Sequence, residues 1–191
     1  MKVVAFNGSP RKDGNTAILT ETVLERLREA GIETEHVQLA GTRLAGCIAC
    51  LKCRENKDLH CAVKSDVVNV CIEKMVAAEG IIIASPVYFA DLTANTKALI
   101  ERAGYVTRGC DGALRRKVGA AVVAVRRGGA VHTFDSINHF FQISEMVVVG
   151  SQYWNFGIGN QIGEVRDDEE GLATMRTLGD TMAWALQKLY G

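Results

Sequence analysis

The chain's 191 residues suit one domain of roughly 100–200 residues, and at 48% apolar they are ample for a buried core. Lys plus Arg and Asp plus Glu both number 22, so the formal net charge is zero and nothing electrostatic favours nucleic acid or an anionic membrane as a partner. No apolar run approaches the roughly 18 residues of a membrane span, and six cysteines are too sparse for a disulfide scaffold at this length.

Residues 2–7 read as a strand. A strand here, in place of a charged-then-apolar leader, argues against export and for a cytoplasmic location. Residues 7–16, Asn-Gly-Ser-Pro-Arg-Lys-Asp-Gly-Asn-Thr, follow as a loop of small and polar residues that runs into a helix. Strand, loop and helix in this order are built to hold a phosphate. Backbone N–H groups and hydroxyls point into the loop, the helix N-terminus adds positive potential, and Arg11 adds a full charge. The triphosphate pattern Gly-x-x-x-x-Gly-Lys-Ser/Thr is absent, and so is the dinucleotide pattern Gly-x-Gly-x-x-Gly. A loop gripping one phosphate suits flavin mononucleotide (FMN) best. The alternative is an ordinary strand-to-helix turn capped by Ser9 or Asn15.

The helix spans 15–30, with Leu19, Val23 and Leu27 on one face and Gly31 as its stop. Alternation over 33–39 fits a second strand. The stretch 40–65 shows no period and carries four cysteines. A helix over 66–78 is capped by Ser65 or Asp66. A continuous apolar strand covers 81–85 and ends at Pro86. Residues 93–104 are helical, 118–125 form a fourth strand, 131–143 a helix and 146–149 a fifth strand. A long helix covers 168–189, where Leu172, Met175, Leu178, Met182, Leu186 and Leu189 recur at three- and four-residue steps. Its acidic start suits the helix dipole.

Five near-continuous apolar strands separated by helices imply one domain over 1–191: a parallel sheet covered on both faces. Right-handed crossovers favour the three-layer flavodoxin-like order 2-1-3-4-5, with a ligand crevice at the C-terminal ends of the first and third strands. The loops after strands one, three and four then meet. The second is Ser85-Pro86-Val87-Tyr88-Phe89, a Pro-fixed turn with two aromatics. The third is Arg126-Arg127-Gly128-Gly129, where glycines let backbone approach a flat ring. Together these are the contacts a flavin needs, with backbone N–H groups near the ring tuning its reduced form. Singly, each has a plainer reading as strand end, core or turn.

Gly-Ser-Pro-Arg-Lys-x-Gly-Asn-Thr at 8–16, Ser-Pro-Val-Tyr-Phe at 85–89, Lys-Ala-Leu-Ile-Glu-Arg at 97–102 and Val149-Gly150-Ser151-x-Tyr153-Trp154 carry a family resemblance over essentially the whole chain. The chain resembles the flavodoxin-like flavoproteins of the NAD(P)H-dependent FMN reductase group. The resemblance implies bound FMN, with Ser9, Arg11, Asn15 and Thr16 at the phosphate and Pro86, Val87, Tyr88 and Phe89 beside the ring. Arg127, Gly128 and Gly129 would complete the site. It implies electron flow from NAD(P)H or a ferredoxin-like donor to a small acceptor such as a quinone, free flavin or an oxygen species, in a homodimer or homotetramer. The flavin does the redox chemistry, so no catalytic dyad or nucleophile is needed and none is evident.

Cys47, Cys50 and Cys53 follow a C-x2-C-x2-C rhythm, and Cys61 returns after seven intervening residues. Such crowding reads as chemistry in a reducing compartment. Three thiolates at that spacing suit three irons of a [4Fe–4S] cubane, and the loop can bring back a fourth. The pattern resembles the compact cysteine motif of the iron–sulfur flavoproteins, a branch of the same group, in which the cluster passes electrons to FMN. Zinc with His60 at hand, a reactive dithiol and an empty set of thiols are the competing readings. The function classes that compete are a metal-free FMN or quinone reductase, a non-enzymatic electron carrier and a cysteine-based sensor. Cys71 reads as a small core residue and Cys110 as a plain loop residue. His132 and His139 read as hydrogen-bonded packing groups, and Arg115-Arg116-Lys117 as a solvated turn. Tyr153 and Trp154 suit a place over the flavin, a subunit contact or burial against the last helix.

Overall fold

The apolar runs become parallel strands and the amphipathic stretches become helices in a computed structural model that describes residues 1–191. In chain order the elements are β1 (Lys2–Asn7), α1 (Asn15–Glu29), β2 (Glu33–Gln38), α2 (Lys52–Asn56), α3 (Val68–Ala77), β3 (Gly80–Pro86), α4 (Ala94–Gly109), β4 (Val118–Val125), α5 (Ala130–Ile143), β5 (Val147–Val148), β6 (Phe156–Ile158) and α6 (Glu169–Tyr190), with a 3-10 turn at Glu164–Asp167 before the last. The sheet order is β2-β1-β3-β4-β5, all parallel, as the doubly wound reading requires. α1 and α6 pack on one face and α3, α4 and α5 on the other. Each face takes alternate residues of the central strands, so β4 is buried along its whole length.

The sheet has one strand more than expected. β5 pairs with β4 only at Val118 and Gly119, and β6 then pairs with Val123–Val125. Two short strands share the fifth position, and β6 delivers residues 159 and 160 to the sheet's C-terminal rim. The 40–65 stretch holds one turn of helix, α2. α3 begins at Val68, where the Asp66 carboxylate accepts the Val68 N–H (3.2 Å). α4 runs five residues past its expected end because Gly104 is no stop; it faces the Phe140 ring. Leu189 is exposed, although it continues the apolar stripe of α6.

Two edge contacts carry measurable stability. Lys117 is not part of a solvated turn. Its half-buried ammonium donates to the carbonyls of Val76 (2.9 Å) and Ala78 (2.5 Å) at the C-terminus of α3, while Arg115 pairs with Glu145. Burial pushes the Lys117 pKa down, which is the cost of this helix-end contact. Lys117→Met leaves both carbonyls without their charged donor. It is expected to destabilise the fold by about 1–3 kcal/mol, lowering the melting temperature by about 2–4 °C per kcal/mol; thermal unfolding checks this.

Glu35 on β2 lies between Lys74 and Lys2 (3.0 Å from Lys2). The hydrogen bond from Lys74 and then that from Lys2 hold its carboxyl below the usual carboxylate range. A carboxyl whose pKa is lower folded than unfolded contributes stability that is full above the unfolded value of about 4.3 and fades as pH falls through the folded one. Denaturant melts between pH 7 and pH 3 should therefore show a steeper acid loss for the wild type than for Glu35→Gln.

Candidate functional site

The loops after β1, β3 and β4 meet around a cavity of about 160 Å³ at the C-terminal rim of the sheet. The first loop contributes Ser9, Arg11, Asn15 and Thr16. The second contributes Pro86, Val87 and Tyr88. Ala124 and Arg126 come from the end of β4, and Gly159 and Asn160 from the chain after β6. The lining carries two arginines and no carboxylate.

Local hydrogen bonds wind the first loop. The Ser9 N–H donates to Asn7 Oδ1 (3.0 Å), and the Arg11 N–H donates to Ser9 Oγ (3.1 Å). α1 then starts at Gly14 with no side-chain cap, so neither Ser9 nor Asn15 acts as the capping residue of an ordinary turn. The N–H groups of Asn15 and Thr16, both buried, find no backbone acceptor. An uncapped, buried helix N-terminus leaves donors aimed at an anion. The Asn15 side chain also reaches across to the chain after β6. Its Nδ2 donates to the Gln161 carbonyl (2.9 Å) and its Oδ1 accepts from the Gly163 N–H (2.9 Å), which ties the 159–163 segment to the cavity's edge.

The other expected residues divide. Phe89 is fully exposed at φ +49° and stands outside the cavity. Arg126, not Arg127, lines the wall, and Arg127 and Gly128 are exposed beyond it. Gly129 sits at φ +89° ahead of α5, where a Cβ would fall 2.8 Å from Ala90 Cα and 2.9 Å from Val87 Cγ1. Only glycine lets the third loop press so closely on the second. His132 and His139 are exposed rather than packed; His132 lies 3.8 Å from Asp91. Tyr153 and Trp154 stack edge to face and remain half exposed, not buried against α6.

Cys47, Cys50, Cys53 and Cys61 line a second, apolar pocket together with Ile48, Leu51, Tyr105, Val106 and Arg102. All six cysteines are free thiols. No three Cys, His, Asp or Glu side chains stand close enough to grip a single metal ion. Burial raises the Cys53 thiol pKa. Cys71 lies in the core, its thiol pushed up by burial to about 11, and is inert. Cys110 lies outside the pocket. The imidazole of His60 is engaged by Asp58 O (2.7 Å) and Glu73 (2.9 Å) and is not in the pocket lining.

The segment between these thiols is strained. Ala49, Leu51, Lys57 and Leu59 all have positive φ, at of order 1–3 kcal/mol each. α4 holds it in place. Asn95 Nδ2 donates to the carbonyls of Leu39 (3.2 Å) and Thr42 (3.0 Å), and Glu101 accepts the Cys47 N–H (3.3 Å). Arg102, fully buried, donates to Val63 O (2.7 Å), Ala45 O (3.2 Å), the Asp66 carboxylate (2.5 Å) and Cys61 Sγ (3.3 Å). Burial is the largest influence on both members of that ion pair and opposes their charges, yet the hydrogen bonds together outweigh it: those from Arg102, Val68 and Ala45 keep the Asp66 carboxyl below its usual range, and those to Asp66 and Cys61 keep Arg102 above its own.

A doubly wound parallel sheet whose first loop and helix start form an anion cradle defines a flavodoxin-like mononucleotide-binding protein. The chain belongs to the NADPH-dependent FMN reductase family, whose model matches residues 1–161, and is a flavin-dependent oxidoreductase. It is 40% identical over 190 residues to an iron-sulfur flavoprotein of Methanocaldococcus jannaschii, covering 96% of each chain. It is 37% identical over 177 residues to the iron-sulfur flavoprotein of Methanosarcina thermophila, covering 92% of this chain and 90% of that one. In fold it superposes on a flavodoxin from the domain Archaea with a TM-score of 0.64 at 13% identity, covering 98% and 99% of the two chains. No helix is long and apolar enough to cross a membrane.

Proposed function

We propose that this FMN-dependent oxidoreductase also holds a [4Fe–4S] cluster on Cys47, Cys50, Cys53 and Cys61, and carries electrons from NAD(P)H or a ferredoxin-like donor to a small acceptor. The observation that carries the reading is the convergence of those four thiols, and of no other cysteine, on one apolar pocket. A cubane spaces its four cysteine sulfurs more widely than a single ion does, which fits thiols that share a pocket without forming a single-ion site. Bound FMN supplies two-electron and one-electron redox chemistry at its ring, and a cluster supplies single-electron transfer.

The chain's own residues hold and shield these groups. Ser9, Thr16 and the open N–H groups of α1 donate to the phosphate, and Arg11 neutralises it. Pro86, Val87 and Tyr88 wall the ring's side of the cavity, and Arg126 adds positive charge that favours an anionic reduced flavin. Ile48, Leu51 and Tyr105 give the thiol pocket an apolar lining. The exposed Tyr88 at the first cavity and the exposed Ile48 and Leu51 at the thiol pocket support assembly as a homodimer or homotetramer, and the free thiols support a reducing cytoplasm.

A second reading, a metal-free NAD(P)H-dependent FMN or quinone reductase, is favoured by the burial of Cys53, which raises its thiol pKa and so disfavours the thiolate form a metal needs. One preparation separates the two: purify without oxygen, record the visible spectrum, and assay FMN, iron and sulfide per chain. FMN with about four irons and four sulfides per chain is expected; FMN alone leaves the metal-free reductase. Steady oxidation of NAD(P)H with a quinone excludes the carrier class.

A further inference from the structure

We propose that Arg102 is a positioning residue that raises the reduction potential of the group held at Cys61, with Asp66 as its counterweight. This rests on the reading that the four thiols carry a cluster. The starting point is a guanidinium with no exposure, on a helix face that also packs into the apolar core. Taking such a charge out of water costs several kcal/mol unless its donors are met. Here four of the five N–H donors are met, and in a directed way. Nη1 and Nη2 go to Asp66, Ala45 O and Val63 O, and Nε goes to a thiol sulfur.

Among the four pocket thiols, Cys61 alone receives a hydrogen bond from a charged group. Cys47 accepts only a backbone N–H, that of Ala49 (3.4 Å). Asp66 lies on the far side of the guanidinium, bonded also to the N–H groups of Ala45 and Val68. The pair is neutral overall but oriented, positive end toward the sulfur.

Orientation is what matters for an electron acceptor. A one-electron reduction of the cluster makes no bond and breaks none; it adds one negative charge to a group already made anionic by its thiolates. An N–H donor and a nearby cation stabilise the reduced form more than the oxidised form and raise the potential. A nearby carboxylate lowers it. Neutralising the two residues should therefore move the potential in opposite directions. A simple brace predicts otherwise: loosening the loop from either end admits water and shifts both variants the same way.

The test is a potentiometric titration of the anaerobically purified protein, followed by the electron paramagnetic resonance of the reduced cluster so that the flavin does not interfere. In Arg102→Gln the equilibrium constant for cluster reduction should fall about tenfold, which is 59 mV for a one-electron couple. In Asp66→Asn it should rise severalfold. Arg102→Lys keeps the charge and loses the fork, so its shift should be smaller than that of Arg102→Gln. Shifts of the same sign, or none, overturn the proposal. If Arg102→Gln fails to fold or to hold iron, Asp66→Asn decides: an unchanged or lowered potential overturns it. A wild-type protein with no iron or sulfide overturns the cluster reading and this proposal together, whereas a cluster-bearing protein without the opposed shifts overturns this proposal alone.

Discussion

Arg11→Ala combined with Thr16→Ala should weaken FMN binding about 10²–10³-fold and leave riboflavin binding nearly unchanged. Both residues line the cavity beside the open start of α1. Arg11 brings the loop's full positive charge, and Thr16 is buried there with a hydroxyl that meets no partner in the chain. A hydrogen bond to a charged group contributes about 1.5–3 kcal/mol. Two of them amount to about 3–4 kcal/mol after partial replacement by water, or two to three decades of affinity. Riboflavin lacks the phosphate, so it isolates the ring's share of the binding energy. Titration of the flavin-free protein, read by quenching of flavin fluorescence, measures both ligands. Equal losses for FMN and riboflavin would mean that the double variant damages the cavity as a whole. Undiminished FMN affinity would remove the phosphate from this loop.

The sheet was legible because its strands are buried on both faces. A continuous apolar run bounded by helices leaves little choice but a parallel doubly wound sheet, and β1, β3 and β4 are such runs. β6 escaped because three residues, Phe156-Gly157-Ile158, are too few to show a period. The first loop was legible from its composition, and Asn15 lies in the cavity lining beside it. Its amide ties down residues 161–163, a long-range contact that no local pattern encodes. In the third loop the choice between Arg126 and Arg127 turned on backbone direction over one residue. Arg102 was hidden for a different reason. A charged residue on an amphipathic helix reads as a solvated face, and only the folded cysteine segment shows that it is enclosed. Asp66 read as a helix cap, but Val67 holds that position in α3; one Asp66 oxygen accepts the Val68 N–H and the other serves Arg102.

α4 links the two pockets, and Gly8 offers the sharpest test of that link. At its N-terminus Thr93 caps the helix and donates to the Gly8 carbonyl (2.8 Å), while Thr96 bonds Thr93 (2.8 Å) directly beneath the first loop. A Cβ on Gly8 would fall 1.8 Å from Thr96 Oγ1. Thr96 is buried and β-branched, so its hydroxyl has few rotamers into which it can retreat. Gly8→Ala must therefore push the loop off the helix, at about 1–3 kcal/mol by the usual cost of overpacking. Because the same loop carries Ser9 and Arg11, FMN affinity should fall with stability. Thr96→Ala removes the offending oxygen, and the Gly8→Ala, Thr96→Ala pair should recover at least half of the stability lost, a coupling that additive effects would not produce. Further along the same helix, Asn95, Glu101 and Arg102 grip the cysteine segment. Iron content of the Gly8→Ala protein then reports whether displacing the start of α4 reaches the thiol pocket. With the proposed cluster on those thiols, a rigid α4 passes the displacement on, and the expected result is a partial loss of iron that Thr96→Ala restores together with FMN affinity.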